Sequence, residues 1–248
     1  MFTWLINGAL AEEAAETAAA SEPGWFQKAF EKFAETPWTV WIAVAVLVAL
    51  GAVFLVITRT SRKWTAKMLS FGALSIALSF VLSCVRLYRM PTGGSVTPAS
   101  MLPIMLFSAA YGVGPGLLTG LVYGVLQYFQ GGWFLNVWQM ILDYLLAFAA
   151  LGLAGLARKL PEKWGLYCAM VIAVLARALS AILAGIMWAN DSIAQGWGLE
   201  IAGKTYNSPV LYSVVYNGTY LIPEIVICIL LAFAIAKPVM RIMKNELR

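Results

Sequence analysis

The amino-acid sequence predicts an all-α polytopic membrane protein, and three observations carry that prediction. Of 248 residues, 61% are hydrophobic and only 12% are charged, about half the charged share of an average soluble domain, which is roughly 25%. Apolar runs recur at lengths near ~20 residues, which is what a helix rising ~1.5 Å per residue needs to cross ~30 Å of hydrocarbon. Lysine and arginine gather between alternate runs, the asymmetry that orients spans in a bilayer.

The first 37 residues stand apart. Glu12, Glu13, Glu16, Glu22, Glu31 and Glu35 outweigh Lys28 and Lys32 there, and a Pro-Gly break follows at 23–24. This is an acidic extracellular segment in which Trp25, Phe26, Phe30 and Phe33 suit an interfacial helix. No basic stretch precedes the short apolar run FTWLINGALA, so it does not read as a signal peptide. Residues 38–64 form a second unit, an additional transmembrane helix over 38–58 and the loop that follows. Residues 65–248 form the third, a membrane core with a cytoplasmic C-terminal tail, its spans at 68–88, 98–112, 115–131, 134–157, 165–188 and 210–236.

Eleven of the 17 Lys and Arg residues lie at one set of connections: Arg59, Arg62, Lys63 and Lys67; Arg158, Lys159 and Lys163; Lys237, Arg241, Lys244 and Arg248. The positive-inside rule makes these loops and the C-terminus cytoplasmic and places the N-terminus outside. The turn GVGPG at 112–116 falls on the same side. The opposite connections, MPTGGSVTPAS at 90–100, QGGW at 130–133 and the long segment 189–209, are rich in Gly, Pro, Ser, Thr and Trp. Such loops either connect the helices or fold over a mouth.

Polar residues inside spans mark the functional candidates, because a charge at the bilayer centre costs ~2.5–3.5 kcal/mol on insertion scales. They are Asp143, Arg177, Asn217 and Glu224. Asn136, Gln139 and Asp143 are three and four residues apart and share one helix face, flanked by Trp133 and Tyr144. Amides, a carboxylate and aromatic rings facing one space suit a flat, nitrogen-rich, cationic ligand. The alternative is that Asp143 pairs with Arg177 as structural glue. Tyr212, Tyr216 and Asn217 on the last span serve equally as core aromatics with an interhelical hydrogen bond or as ligand contacts.

Several chemistries fall away. The chain has no histidine and three cysteines, Cys84, Cys168 and Cys228, in separate spans, so neither a usual zinc site nor a histidine-dependent triad is expected. No metal, cofactor or covalent catalysis is assigned. A GxxxxGK[ST] phosphate loop is absent from the sequence, and another subunit must supply ATP-derived energy to any ATP-driven transport. The net charge of +5 resides in the cytoplasmic loops and gives no reason to expect a nucleic-acid partner.

In order along the chain, TAKMLSFGALSIALSF, MPTGGSVTPASMLPIM, GLLTGLVYGVLQYFQGG, LDYLLAFAALGLAGL, ILAGIMW and YSVVYNG resemble the thiamine-specific substrate-binding subunits (S components) of energy-coupling factor (ECF) transporters, the ThiT or YuaJ family. The resemblance spans about residues 65–245. It implies a six-helix S-component core, here with one extra N-terminal transmembrane helix. It also implies capture of thiamine or a related small vitamin outside the cell, and a complex with a transmembrane coupling subunit and two cytoplasmic ATPase subunits.

The family's AxxxA signature falls at Ala73 and Ala77, which the resemblance assigns to docking on the coupling subunit. Its acidic residue followed by tyrosine falls at Asp143 and Tyr144, its tyrosine and asparagine of the last helix at Tyr212 and Asn217, and its aromatic after the AGI stretch at Trp188. With Trp133 and Gln139 these complete the candidate substrate site. Two positions depart from the family: glutamate is frequent where this chain has Asp143, and the family histidine shortly before the Ala-Gly pair falls at Ala181, four residues ahead of Gly185. These departures leave room for a different small vitamin or a thiamine precursor. A stand-alone proton-coupled transporter using Asp143 or Glu224 is the rival of another class, and no internal repeat supports it.

Overall fold

The computed structural model describes residues 65–90, 93–133, 135–161 and 163–245. The acidic segment 1–37, the additional helix expected over 38–58 and the loop to 64 lie outside the described residues. Within them the chain forms six helices: α1 (Ala66–Cys84), α2 (Leu102–Tyr111), α3 (Val113–Phe129), α4 (Val137–Lys159), α5 (Gly165–Ala194) and α6 (Pro209–Asn245). Of these, α1, α4, α5 and α6 are long and apolar enough to cross a membrane, while α2 and α3 are shorter apolar helices. The protein is an all-α polytopic membrane protein.

Local signals set several helix starts. Thr65 caps α1 by accepting the Met68 N–H at 3.2 Å. Asn136 caps α4 by accepting the Gln139 N–H at 2.9 Å, so its amide oxygen serves the helix terminus rather than the ligand face predicted for it. The chain turns sharply between α2 and α3 at Gly112, where φ is +105°, and Arg158 closes that turn by donating to the Tyr111 carbonyl at 3.1 Å.

Helix ends differ from the predicted spans where polar residues extend or replace the apolar runs. The expected span 68–88 stops at Cys84 because residues beyond it enter a hairpin, β1 (Tyr88–Arg89) paired antiparallel with β2 (Ser95–Val96). The span predicted to begin at 98 begins at 102, preceded by a turn in which Thr97 Oγ1 accepts the Ser100 N–H at 3.2 Å. Helices α5 and α6 continue to Ala194 and Asn245, past the expected 188 and 236. Backbone hydrogen bonding does not stop where hydrocarbon does. A second hairpin, β3 (Glu200–Ile201) with β4 (Lys204–Thr205), forms within the long connection 189–209.

Every residue of α2 is buried, which makes it the central post of the bundle. Around it α4 packs on α3 and α5, and α5 on α6. Gly116, Gly120 and Gly124 form a stripe on α3 against the α4 backbone at Gly152, Phe148–Ala149 and Tyr144, where no side chain would fit. Small residues of this kind let membrane helices approach closely. The outward faces of α1, α5 and α6 carry exposed Leu69, Leu74, Leu78, Leu175, Leu179, Ile222 and Leu230, as expected of surfaces solvated by lipid.

The helix order places the start of α1, the α2–α3 turn, the α4–α5 connection and the end of α6 at one face of the bundle, with Lys67, Arg158, Lys159, Lys163 and Arg241. Both hairpins and the α3–α4 connection lie at the other.

Candidate functional site

At the hairpin face a cavity of about 160 Å³ runs between α4, α5 and α6, roughly ten times the ~10–15 Å³ that admits a single water. Its walls descend in helical steps. Trp188, Gly185, Ala184, Ala181 and Arg177 come from α5, and Tyr212, Tyr216, Tyr220 and Glu224 from α6. Gln139, Asp143, Tyr144 and Phe148 come from α4.

The backbone around Asp143 is irregular. Residues Ile141–Leu146 form a π-helical turn within α4, a departure from α geometry that recurs at functional sites. Ser180 of α5 donates to the Leu142 carbonyl at 2.6 Å, which satisfies a backbone acceptor inside this turn. Gln139 fixes the Asp143 carboxylate by donating from Nε2 to Oδ2 at 3.2 Å, while its own Oε1 accepts the Leu135 N–H at 3.2 Å. Gln139 is therefore occupied in holding Asp143. The alternative partner, Arg177, instead lies with its guanidinium carbon 4.2 Å from the centre of the Phe148 ring.

Aromatic rings form the opposite wall. Trp188 and Tyr212 stack with centroids 5.8 Å apart and planes 21° from parallel, and Tyr212 stacks on Tyr216 at 5.8 Å and 16°. Tyr220 continues the column edge-on to Tyr216. Leu199, carried in from the second hairpin's connection, is buried against Ala189 and Tyr212 and supports the column from behind. The Asn217 side chain also borders the cavity, but its polar atoms are engaged: Nδ2 donates to the Ser213 carbonyl at 2.9 Å, and Oδ1 accepts the Tyr220 hydroxyl at 2.6 Å.

The mouth is bounded by the first hairpin and the α3–α4 connection. Gly93, Gly94, Ser95, Thr97 and Ser100 line the cavity from one side and Gly131 and Trp133 from another. Trp133 is exposed, and its backbone N–H is held by the Tyr144 hydroxyl at 2.7 Å. At the opposite end Glu224 is buried and accepts hydrogen bonds at Oε1 from Thr97 at 2.6 Å and Ser100 at 3.0 Å.

All seven residues singled out in the sequence, Trp133, Gln139, Asp143, Tyr144, Trp188, Tyr212 and Asn217, border this one cavity. Ala73 and Ala77 do not: they are exposed on α1. Sequence reasoning noted Arg177, Glu224 and Tyr216 without assigning them to the site, and missed Tyr220 and Phe148. The signal was available in part, since Tyr212, Tyr216, Tyr220 and Glu224 follow one another at four-residue spacing and so share a helix face.

Residues 69–244 match the family model described as thiamine transporter protein (Thia_YuaJ). The chain belongs to that family. A curated relative, thiamine transporter ThiT of Bacillus subtilis (strain 168), is 32% identical over 170 residues, covering 63% of this chain and 82% of the relative. A solved structure titled native-SAD phasing for ThiT from Listeria monocytogenes superposes with a TM-score of 0.56 at 22% identity, covering 71% of this chain and 96% of that one, and shares the fold. Membership in the thiamine transporter family places the chain among membrane transport proteins rather than enzymes. The matched region includes the cavity and leaves out residues 1–68.

Proposed function

We propose that this chain is the high-affinity substrate-binding subunit of an ECF-type vitamin uptake transporter and that its ligand is thiamine. The observation that carries this reading is the pairing of the Asp143 carboxylate, held by Gln139, with the Trp188–Tyr212–Tyr216 column across one membrane-embedded cavity. A cationic heteroaromatic ring meets both its needs there. The carboxylate supplies the counter-charge, and the ring faces supply stacking and cation–π attraction, worth ~0.5–2 kcal/mol each where water is excluded. Thiamine, a positively charged thiazolium joined to an aminopyrimidine, has this chemistry.

Family membership supports the substrate, and the charge asymmetry supports the orientation. With the basic face cytoplasmic, the cavity opens outside the cell. The exposed Ala73 and Ala77 on α1 would dock a transmembrane coupling subunit, and two ATPase subunits would supply the energy.

The test is a titration of the purified chain with thiamine followed by tryptophan fluorescence, with riboflavin and the separate pyrimidine and thiazole halves for comparison. Saturable quenching by thiamine at submicromolar concentration is expected. A response confined to another vitamin or to a fragment overturns the substrate.

A further inference from the structure

Arg177 is the one residue of the cavity floor with no task in the reading above. Its position follows from helix geometry: Trp188 is at the mouth, and Arg177 lies eleven residues earlier on α5, about 16 Å deeper at ~1.5 Å per residue. Beside it at that depth are Phe148, under the guanidinium, and Glu224, whose Oε1 is taken by the Thr97 and Ser100 hydroxyls. Ala181, one turn nearer the mouth on the same face of α5, is small and lines the same cavity as Arg177.

One nitrogen of the guanidinium is unsatisfied. Arg177 is only 9% exposed, and its buried Nη1 has no hydrogen-bond partner among the described residues. A guanidinium carries five N–H donors and no acceptor. Leaving such donors unpaired in a low-dielectric interior is among the costliest arrangements a membrane protein can hold. Gln139 binds one oxygen of Asp143, hydroxyls bind one oxygen of Glu224, and Tyr220 binds Asn217, while this buried guanidinium nitrogen has no partner among the described residues.

We infer that Arg177 is a specificity-determining ligand contact: it donates to a hydrogen-bond acceptor at the buried end of the ligand. The ligand class is thus a cationic heteroaromatic that carries an acceptor oxygen or ring nitrogen at the end that enters first. Asp143 and the aromatic column hold the positive, flat portion, and Arg177 reads the tip. This rests on the thiamine reading and refines it. Both halves of thiamine carry acceptors, a hydroxyl on one and ring nitrogens on the other, and only one of them can reach Arg177.

The experiment compares wild type, Arg177→Met and Arg177→Lys as full-length purified chains, titrated with thiamine and with its hydroxyethyl-thiazole and aminopyrimidine halves. Methionine keeps the packing on Phe148 and removes the donors; lysine keeps a charge and donors without the planar fork. Thiamine affinity is expected to fall at least tenfold in Arg177→Met and less in Arg177→Lys. The loss should be uneven, large for one half and within twofold for the other, a pattern that general damage to the cavity would not give. Unchanged thiamine affinity in Arg177→Met, or equal losses for both halves, overturns the inference while leaving thiamine as ligand. Failure of both variants to fold makes Arg177 a structural residue and also overturns it. If wild type does not bind thiamine, the substrate reading falls and this inference falls with it.

Discussion

The backbone N–H of Gly94 donates a hydrogen bond to the phenolic oxygen of Tyr216 at 2.9 Å, tying the first hairpin to the last helix across the cavity mouth. The approach is close: a Cβ at position 94 would lie 2.7 Å from the Tyr220 ring. Gly94→Val therefore pushes the hairpin off α6, and thiamine affinity should fall at least tenfold with the helical content unchanged. Tyr216→Phe keeps the ring and deletes only the hydrogen bond, worth ~0.5–1.5 kcal/mol net. It should raise the dissociation rate about two- to tenfold in stopped-flow fluorescence.

Asp143 carries the sharpest charge prediction. Asp143→Asn preserves shape and removes the counter-charge, so binding of cationic thiamine should weaken by more than ~1 kcal/mol while thermal stability in detergent holds. Equal affinity in the two proteins would take Asp143 out of the site. Gln139→Leu leaves the carboxylate present but unheld, and should cost less than Asp143→Asn.

Most of the bundle was legible in the sequence, because helix length and the positive-inside asymmetry depend on composition over ~20-residue windows, which the bilayer dictates. The site was legible only where one helix declared it. Gln139 and Asp143 announce a face by their four-residue spacing, while for Tyr212 and Asn217 the residues left core packing and ligand contact open until the family resemblance favoured the site. What escaped depends on where separate elements meet. No local pattern marks the π turn at Ile141–Leu146, since it is sustained by Ser180 from a neighbouring helix. Likewise nothing in MPTGGSVTPAS says that Thr97 and Ser100 will find Glu224, more than 120 residues away. Asn136 misled for a related reason: three-residue spacing to Gln139 marks a shared face and also marks an N-cap, and here the cap prevails.

Glu224 anchors the root of the first hairpin. Glu224→Ala strips the Thr97 and Ser100 hydroxyls of a buried acceptor, which costs ~1–3 kcal/mol or more for a charged partner, and should lower the melting temperature by several degrees. Glu224→Gln keeps an acceptor oxygen and should recover most of that loss. A melting temperature unchanged in Glu224→Ala would show that the two hydroxyls are not held there.

The glycine stripe on α3 predicts an all-or-none packing effect. At Gly120 any side chain meets the Phe148 carbonyl, a backbone group that cannot swing aside. Gly120→Val should abolish monodisperse elution from a sizing column. Gly198, which has open space around it, serves as control, and Gly198→Ala should elute as wild type.

The last prediction separates binding from transport. Ala73 and Ala77 lie one turn apart on α1 with Ser70, all three exposed, whereas the helix packs inward through Met68, Gly72, Ser75 and Ser79. Since Ala73 and Ala77 are exposed, Ala73→Leu with Ala77→Leu adds bulk on the open side of α1. Lipid tolerates leucine there, as it tolerates the exposed Leu74 and Leu78 on the same helix. A partner helix that must approach closely does not. Uptake of labelled thiamine by cells that supply the coupling and ATPase subunits should be lost, while the purified double variant binds thiamine as wild type does. Loss of both would show that the substitutions disturb the fold, and normal uptake would move the docking surface elsewhere on the subunit.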